Sequence, residues 1–183
     1  MDEITPGILL IADPFLKDPN FMRTVVFVCE HELTGSFGFV INRKHSAALG
    51  ELLPDLSENK FPVYYGGPVQ MDALHFLHRC PDVISGGTEV ANGIFWGGNF
   101  EQVSVLLKNN LLKQHDIRFF IGYSGWGEGQ LDEEMKTKSW LTTNGNKNLV
   151  FHRNENLIWP DAIKQIGGEY EQIINYPIDP SLN

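Results

Sequence analysis

A chain of 183 residues with 42% hydrophobic and 20% charged side chains fits one folded domain that buries a sizeable core. Its 23 acidic residues against 14 Lys and Arg give a net charge of −9, which disfavours direct contact with nucleic acid, since nonspecific affinity for phosphate backbones comes mostly from Lys and Arg. The acidic start, Met1-Asp2-Glu3, and the short apolar run Ile8 to Ala12 argue against a signal core, and no run approaches the ~20 residues of a membrane span, so a cytoplasmic protein without membrane contact is expected.

Gly7 to Ala12 reads as a buried strand stopped by Asp13-Pro14. Phe15, Leu16 and Phe21 follow in a loop that covers the core. Thr24 to Cys29 is β-branched and aromatic, and Ser36 to Asn42 returns, which suggests an antiparallel hairpin with the six-residue connection Glu30 to Gly35. Gly38 within the second strand points to a bulge or a close backbone approach. Leu49 to Leu56 is a short helical segment broken by Pro54, Val63 to Tyr65 a strand ending at Gly66-Gly67-Pro68, and Ala73 to Arg79 another strand. Asn92-Gly93, between Thr88–Val90 and Ile94–Trp96, is a hairpin signal.

The clearest helix starts after Asn99, which can cap it, with Gln102 at the capping-box position and Phe100, Val103, Leu106 and Leu107 on one face. Ile117 to Tyr123 is a strand feeding Gly122-Tyr123-Ser124-Gly125-Trp126-Gly127-Glu128-Gly129-Gln130-Leu131, read as a tightly shaped loop. Gln130 to Lys138 is a polar helix with acids early and lysines late, as the helix dipole favours. Ser139 to Thr143 is a short strand, and the last forty residues or so hold an amphipathic helix around Pro160 to Ile166, a Gly167-Gly168 break and a second short segment. Hairpins mixed with strand–helix units, and no low-complexity linker, suggest a single α+β domain over 1–183 with a mixed, mostly antiparallel sheet surrounded by helices.

Together the segments Gly7 to Ala12 with Pro14, Phe21 to Val26, Cys29-Glu30-His31, Gly38 to Asn42, Tyr65 to Val69, Leu77-His78, Gly122 to Gly127, Gly129-Gln130-Leu131 and Trp140 resemble the AlgH/YqgE family of small bacterial proteins. They run in order over residues 7 to 140, and the segment from 144 to 183 is less family-like. After Asn42, Arg43-Lys44 stands where the family pattern implies a Lys-Pro-like pair. The resemblance implies a single α+β domain with a large sheet and brings no catalytic assignment. It does bring a label, transcriptional regulator, which net charge disfavours as direct DNA binding.

Several chemistries compete for the same residues. Glycines between a strand and a helix could cradle an anion, but Gly125-Trp126-Gly127-Glu128-Gly129 lacks the dinucleotide spacing and carries acids that repel phosphate. Gly122-Tyr123-Ser124-Gly125 is close to a nucleophile elbow, with Trp126 where the second glycine belongs. Cys29 with His31, and His78 with Cys80, would each share a strand face and form a zinc site if their strands were neighbours. His31, His78 and Ser124 are the acid–base and nucleophile candidates of an enzyme reading.

The reading favoured is a ligand- or partner-binding regulatory module without a cofactor. Its surface is built from Tyr65, Gly66, Gly67, Pro68, Tyr123, Ser124, Gly125, Trp126, Gly127 and Gln130, with Arg23, Glu30, His31 and Asn42 as a polar set. In an antiparallel pair Arg23 falls beside Asn42 at one end and Glu30 and His31 at the other, so this set serves two places.

Overall fold

The computed structural model describes residues 3–177. Ten strands form one sheet: β1 (Ile8–Ala12), β2 (Val25–Glu32), β3 (Gly35–Val40), β4 (Lys44–Ala48), β5 (Pro62–Tyr65), β6 (Val69–His78), β7 (Thr88–Ala91), β8 (Ile94–Trp96), β9 (Ile117–Gly127) and β10 (Trp140–Asn144). Helices α1 (Leu49–Leu52), α2 (Phe100–Lys108), α3 (Gln130–Lys136), α4 (Lys147–Val150) and α5 (Glu155–Ile166) surround it, so the domain is α+β. The main strand order is β10-β1-β2-β3-β9-β6-β8-β7, and β4 joins through β5. Among the described pairs, all are antiparallel except β5 with β9.

β9 organises the sheet. Its first half pairs with β5 on one side and β6 on the other, and its second half pairs with β3. The expected loop after Tyr123 is therefore strand as far as Gly127. The β3 ladder satisfies its backbone there, with Gly35 opposite Gly127 and Gly38 opposite Ser124. Where β3 and β9 diverge, Gly66 fills the gap: its N–H donates to the Ile121 carbonyl at 2.8 Å and its carbonyl accepts from Val40 N at 2.8 Å.

Strand alternation divides the core. On β1, Leu9 and Ile11 face a cluster covered by Ile158, Trp159, Ala162 and Ile163 of α5, while Ile8, Leu10 and Ala12 face another cluster that includes Leu131 of α3, Trp126 and Trp140. A third cluster joins Val63, Phe76 and Phe119 to Val103 and Leu107 of α2. Arg118, 3% exposed, ties the layers: its guanidinium donates to the Ile41 carbonyl at 2.7 Å and to the His152 carbonyl, and lies 4.0 Å from the centroid of the Tyr64 ring. Desolvation brings its pKa down to about 10.

Local expectations hold in some places and change in others. The β2–β3 connection is the two residues Leu33-Thr34, because Glu30 to Glu32 keep pairing with Gly35 to Phe37. Gly38 marks a close approach, since a Cβ there would stand 2.3 Å from the Phe27 carbonyl oxygen, and the bulge lies across from it between Val28 and Glu30. β4 and α4 carry too little apolar periodicity to be read in advance. The Asn92-Gly93 turn forms as expected, with both residues at positive φ, and the Asn99 side chain caps α2 by accepting from Gln102 N. Gln102 itself turns to Ser85 instead of closing a capping box. No described helix is long and apolar enough to cross a membrane.

Candidate functional site

The bulge decides which side chains meet. In an unbroken strand Cys29 and His31 would share a face, but the register shift lets both Cys29 and Glu30 oppose Phe37, and His31 falls opposite Ser36 on the other face. Cys29 packs in the α5-side cluster, and burial pushes its thiol pKa well up. His31 faces α3, with Nδ1 2.6 Å from Ser36 Oγ and Nε2 4.0 Å from Asp132 Oδ1. β2 and β6 are separated by β3 and β9, so the four thiol and imidazole groups do not converge. Among the described residues no group of three or more His, Cys, Asp or Glu could hold a metal ion.

His78 is fully buried. Its Nδ1 accepts from Cys80 N at 3.1 Å and its Nε2 donates to the Gly97 carbonyl at 3.0 Å, so both nitrogens are committed to backbone. Desolvation, only partly opposed by that carbonyl, lowers its pKa, and burial raises that of Cys80. Ser124 is likewise buried, and its hydroxyl donates to the Gly66 carbonyl at 3.0 Å, away from solvent.

Trp126, expected on display, is core. It is 5% exposed, stacks on Phe21 at 6.1 Å between ring centroids, and donates from Nε1 to Glu134 Oε2 at 2.9 Å. Trp140 donates to the same oxygen at 2.8 Å. Gln130 accepts from Gly127 N at 3.0 Å and donates to Glu134 at 3.3 Å, closing β9 onto α3. Tyr65 donates to the Met71 sulfur at 3.7 Å, and Pro68 is exposed beside it. The Gly66–Pro68 turn and the Tyr123 region do meet, but as packed backbone: a Cβ on Gly67 would lie 2.2 Å from the Tyr123 carbonyl carbon.

Arg23 and Asn42 are neighbours, as the hairpin geometry requires. Asn42 donates to the Arg23 carbonyl and accepts from Val25 N, both at 2.9 Å. The Arg23 guanidinium donates to the Tyr176 carbonyl and lies 4.6 Å from the Trp159 ring centroid, while Arg43 donates to the Asn20 and Met22 carbonyls. Among the described residues Nε of Arg23 is buried without a partner. Glu30 and His31 stand at the far end of the hairpin, on opposite faces.

A concavity reached by Tyr123 and Trp126, two of the aromatic candidates, lies on the Glu30 face. It encloses about 550 Å³, within the range of small-molecule sites, and is lined by Glu30, Phe37, His75, Trp96, Tyr123 and Gly125, together with Val69, Trp126 and residues 34–36. Tyr123, Gly125 and Trp126 were expected, and so was Glu30. Phe37, His75 and Trp96 were not, although alternation in β3 and the Asn92-Gly93 hairpin placed Phe37 and Trp96 on definable faces. His75 Nε2 is buried with no hydrogen-bond partner among the described residues, and desolvation lowers the ring's pKa.

Gly125 is the unusual part of this lining. It is exposed, sits in a paired strand, and a Cβ there would make only ordinary contacts, 3.4 Å to Tyr123 Cε2 and 3.7 Å to Val69 Cγ2. The packing leaves room for a side chain at that position.

The sequence profile of AlgH-like proteins matches residues 9–171, continuing past the motif-bearing region that ends near 140. A UPF0301 protein of Chlorobium limicola is 40% identical over 182 residues, covering 100% of this chain and 97% of the relative. One from Chlorobaculum tepidum is 41% identical over 180 residues, covering 98% and 96%. Among solved structures, the solution structure of the AlgH protein from Pseudomonas aeruginosa aligns with TM-score 0.70 at 27% identity, covering 97% of this chain and 98% of that one. A crystal structure of a Corynebacterium diphtheriae protein shares the fold at TM-score 0.79 and 20% identity, covering 94% and 92%. With a profile match across most of its length and relatives this similar end to end, the chain belongs to the AlgH-like family.

Proposed function

We propose that this protein is a binding module whose site is the aromatic hollow between the β2–β3 hairpin, β6, β8 and β9. The observation that carries the reading is Gly125. Glycine inside a strand costs roughly 0.5–1 kcal/mol relative to alanine. Its backbone needs no special φ and a Cβ there would make only ordinary van der Waals contacts, so neither backbone nor packing explains it. Close approach of a ligand does. The rings of Phe37, Trp96 and Tyr123 around that floor supply contact area for an occupant.

An acid–base reading has less support. Ser124 and both nitrogens of His78 are engaged internally, and His31 lies across the sheet from the hollow. A regulatory role, in the binding reading, follows from occupancy of the hollow and needs no DNA contact, consistent with the net charge of −9. Two free thiols, one buried, fit a cytoplasmic setting.

A fragment library titrated into the ¹⁵N-labelled protein tests this. Amide shifts should cluster at Phe37, His75, Trp96, Tyr123 and Gly125, and disappear in Gly125→Leu, whose side chain fills the floor while the fold is kept. Shifts confined to other regions, or unchanged in that variant, would remove the site.

A further inference from the structure

We infer that the hollow takes the cationic head of a small alkylammonium ligand, an inference that rests on the binding-module reading and specifies its ligand. Three features of the walls point the same way. First, the rings are crossed. Phe37 meets Trp96 at 63° with centroids 4.9 Å apart and Tyr123 at 74° with centroids 5.9 Å apart, and His75 meets Tyr123 at 88°; His75 and Trp96, at 35°, are the pair nearest to parallel, with centroids 6.4 Å apart. A flat aromatic ligand wants two near-parallel faces to lie between. A compact cation is served by faces turned towards it from several directions, because each ring face carries the negative end of its quadrupole.

Second, the charge at the wall has one sign. Among the described residues Glu30 is the lone carboxylate of the lining, and no Lys or Arg is present in it. An anionic ligand would have to be held against Glu30 with no basic side chain to compensate. The β2 bulge is what puts Glu30 on this face: with Val28 opposite Gly38, an unbroken ladder would set Cys29 opposite Phe37 and turn Glu30 away to the α3 side. The fold thus spends a ladder irregularity on presenting a carboxylate to three aromatic rings.

Third, His75 adds no competing positive charge. Its burial favours the neutral ring, and its partnerless Nε2 belongs to the same wall. The overall charge of −9 draws cations towards the surface in general, while anions are repelled.

The test uses three probes of one shape on the full chain: choline, its neutral carbon isostere 3,3-dimethylbutan-1-ol, and the anion 3,3-dimethylbutanoate, each followed by amide shifts and tryptophan fluorescence. Choline should shift Phe37, Trp96, Tyr123 and Gly125, and bind about tenfold more tightly than the alcohol, with the anion weakest. Glu30→Gln, at an exposed position, should weaken choline by about fivefold and leave the alcohol unchanged. Trp96→Leu should weaken choline more than the alcohol. Equal binding of choline and the alcohol in the hollow, with no effect of Glu30→Gln, overturns the cation assignment and leaves the binding module standing. Absence of shifts with all three probes overturns the cation assignment too. The fragment screen then decides separately: fragments that cluster at Gly125 keep the binding module, and none doing so removes both.

Discussion

One carboxylate oxygen accepts from two indole N–H groups. Glu134 Oε2 lies 2.9 Å from Trp126 Nε1 and 2.8 Å from Trp140 Nε1, and both indoles are nearly buried, at 5% and 3% exposure. Tryptophan in a core needs a partner for its N–H, since a buried donor left unpaired costs about 1–3 kcal/mol. Glu134→Ala removes the acceptor from both indoles at once while the rings stay packed on each other and on Phe21. The expected loss is about 2–4 kcal/mol in urea unfolding, and Glu134→Gln, which keeps an acceptor oxygen, should lose less than half of that. Equal losses for the two variants would mean that side-chain packing, and not hydrogen bonding, is what Glu134 provides. The sequence singled out Trp126 but did not show that most of its indole is packed in the core. Which face a tryptophan takes depends on the β3–β9 register, a contact between residues about ninety apart that no local pattern contains.

Among the elements, β9 separates two kinds of glycine. Gly122 has φ +69°, and a Cβ there would stand 2.3 Å from the Gly67 carbonyl oxygen, so backbone geometry and packing both exclude a side chain. Gly125, three residues on, has neither restriction. Gly122→Ala is expected to destabilise the protein by about 3 kcal/mol or more, whereas Gly125→Ala should be neutral or stabilising by up to ~1 kcal/mol. Parallel urea melts of the two variants check the contrast. A large loss at Gly125 would show that its glycine serves the fold, and would take away the observation on which the binding site stands. Local chemistry made much of this level legible: Asn92-Gly93 forces a hairpin by its own φ preferences, and Asn99 caps its own helix. The run Gly125 to Gly129 misled because glycine frequency signals a turn locally, while β3 hydrogen bonds impose a strand as far as Gly127. The hollow was half legible for the same reason. Glu30, Tyr123, Gly125 and Trp126 could be named from the sequence, but Phe37, His75 and Trp96 come together only once four strands are in register.

At the scale of the whole molecule, β6 carries one buried imidazole and one half-buried one into the sheet, and that makes global stability depend on pH. His78 is fully buried between the Cys80 amide and the Gly97 carbonyl, and His75 lies under the rings of Phe39, Trp96 and Tyr123. Desolvation lowers both pKa values from the ordinary 6.5. The sign follows from proton counting. Well above pH 6.5 both histidines are neutral in the folded and the unfolded chain and exert no pH effect. Below it the unfolded chain takes up protons that the folded protein refuses, so the unfolded state gains and stability falls as pH drops, until the folded pKa values are passed. The slope is bounded at ~1.4 kcal/mol per pH unit for each histidine and is smaller for His75, which keeps some contact with solvent. Urea midpoints of the full chain between pH 7.5 and about 5 should therefore decline below neutrality, and the double variant His75→Gln, His78→Gln should flatten that decline while lowering stability at pH 7.5. A wild-type profile already flat over this window, or a double variant with an unchanged slope, would show that water reaches these rings in the folded state. It would also mean that the wall of the hollow around His75 is wetter than its packing against three aromatic rings implies.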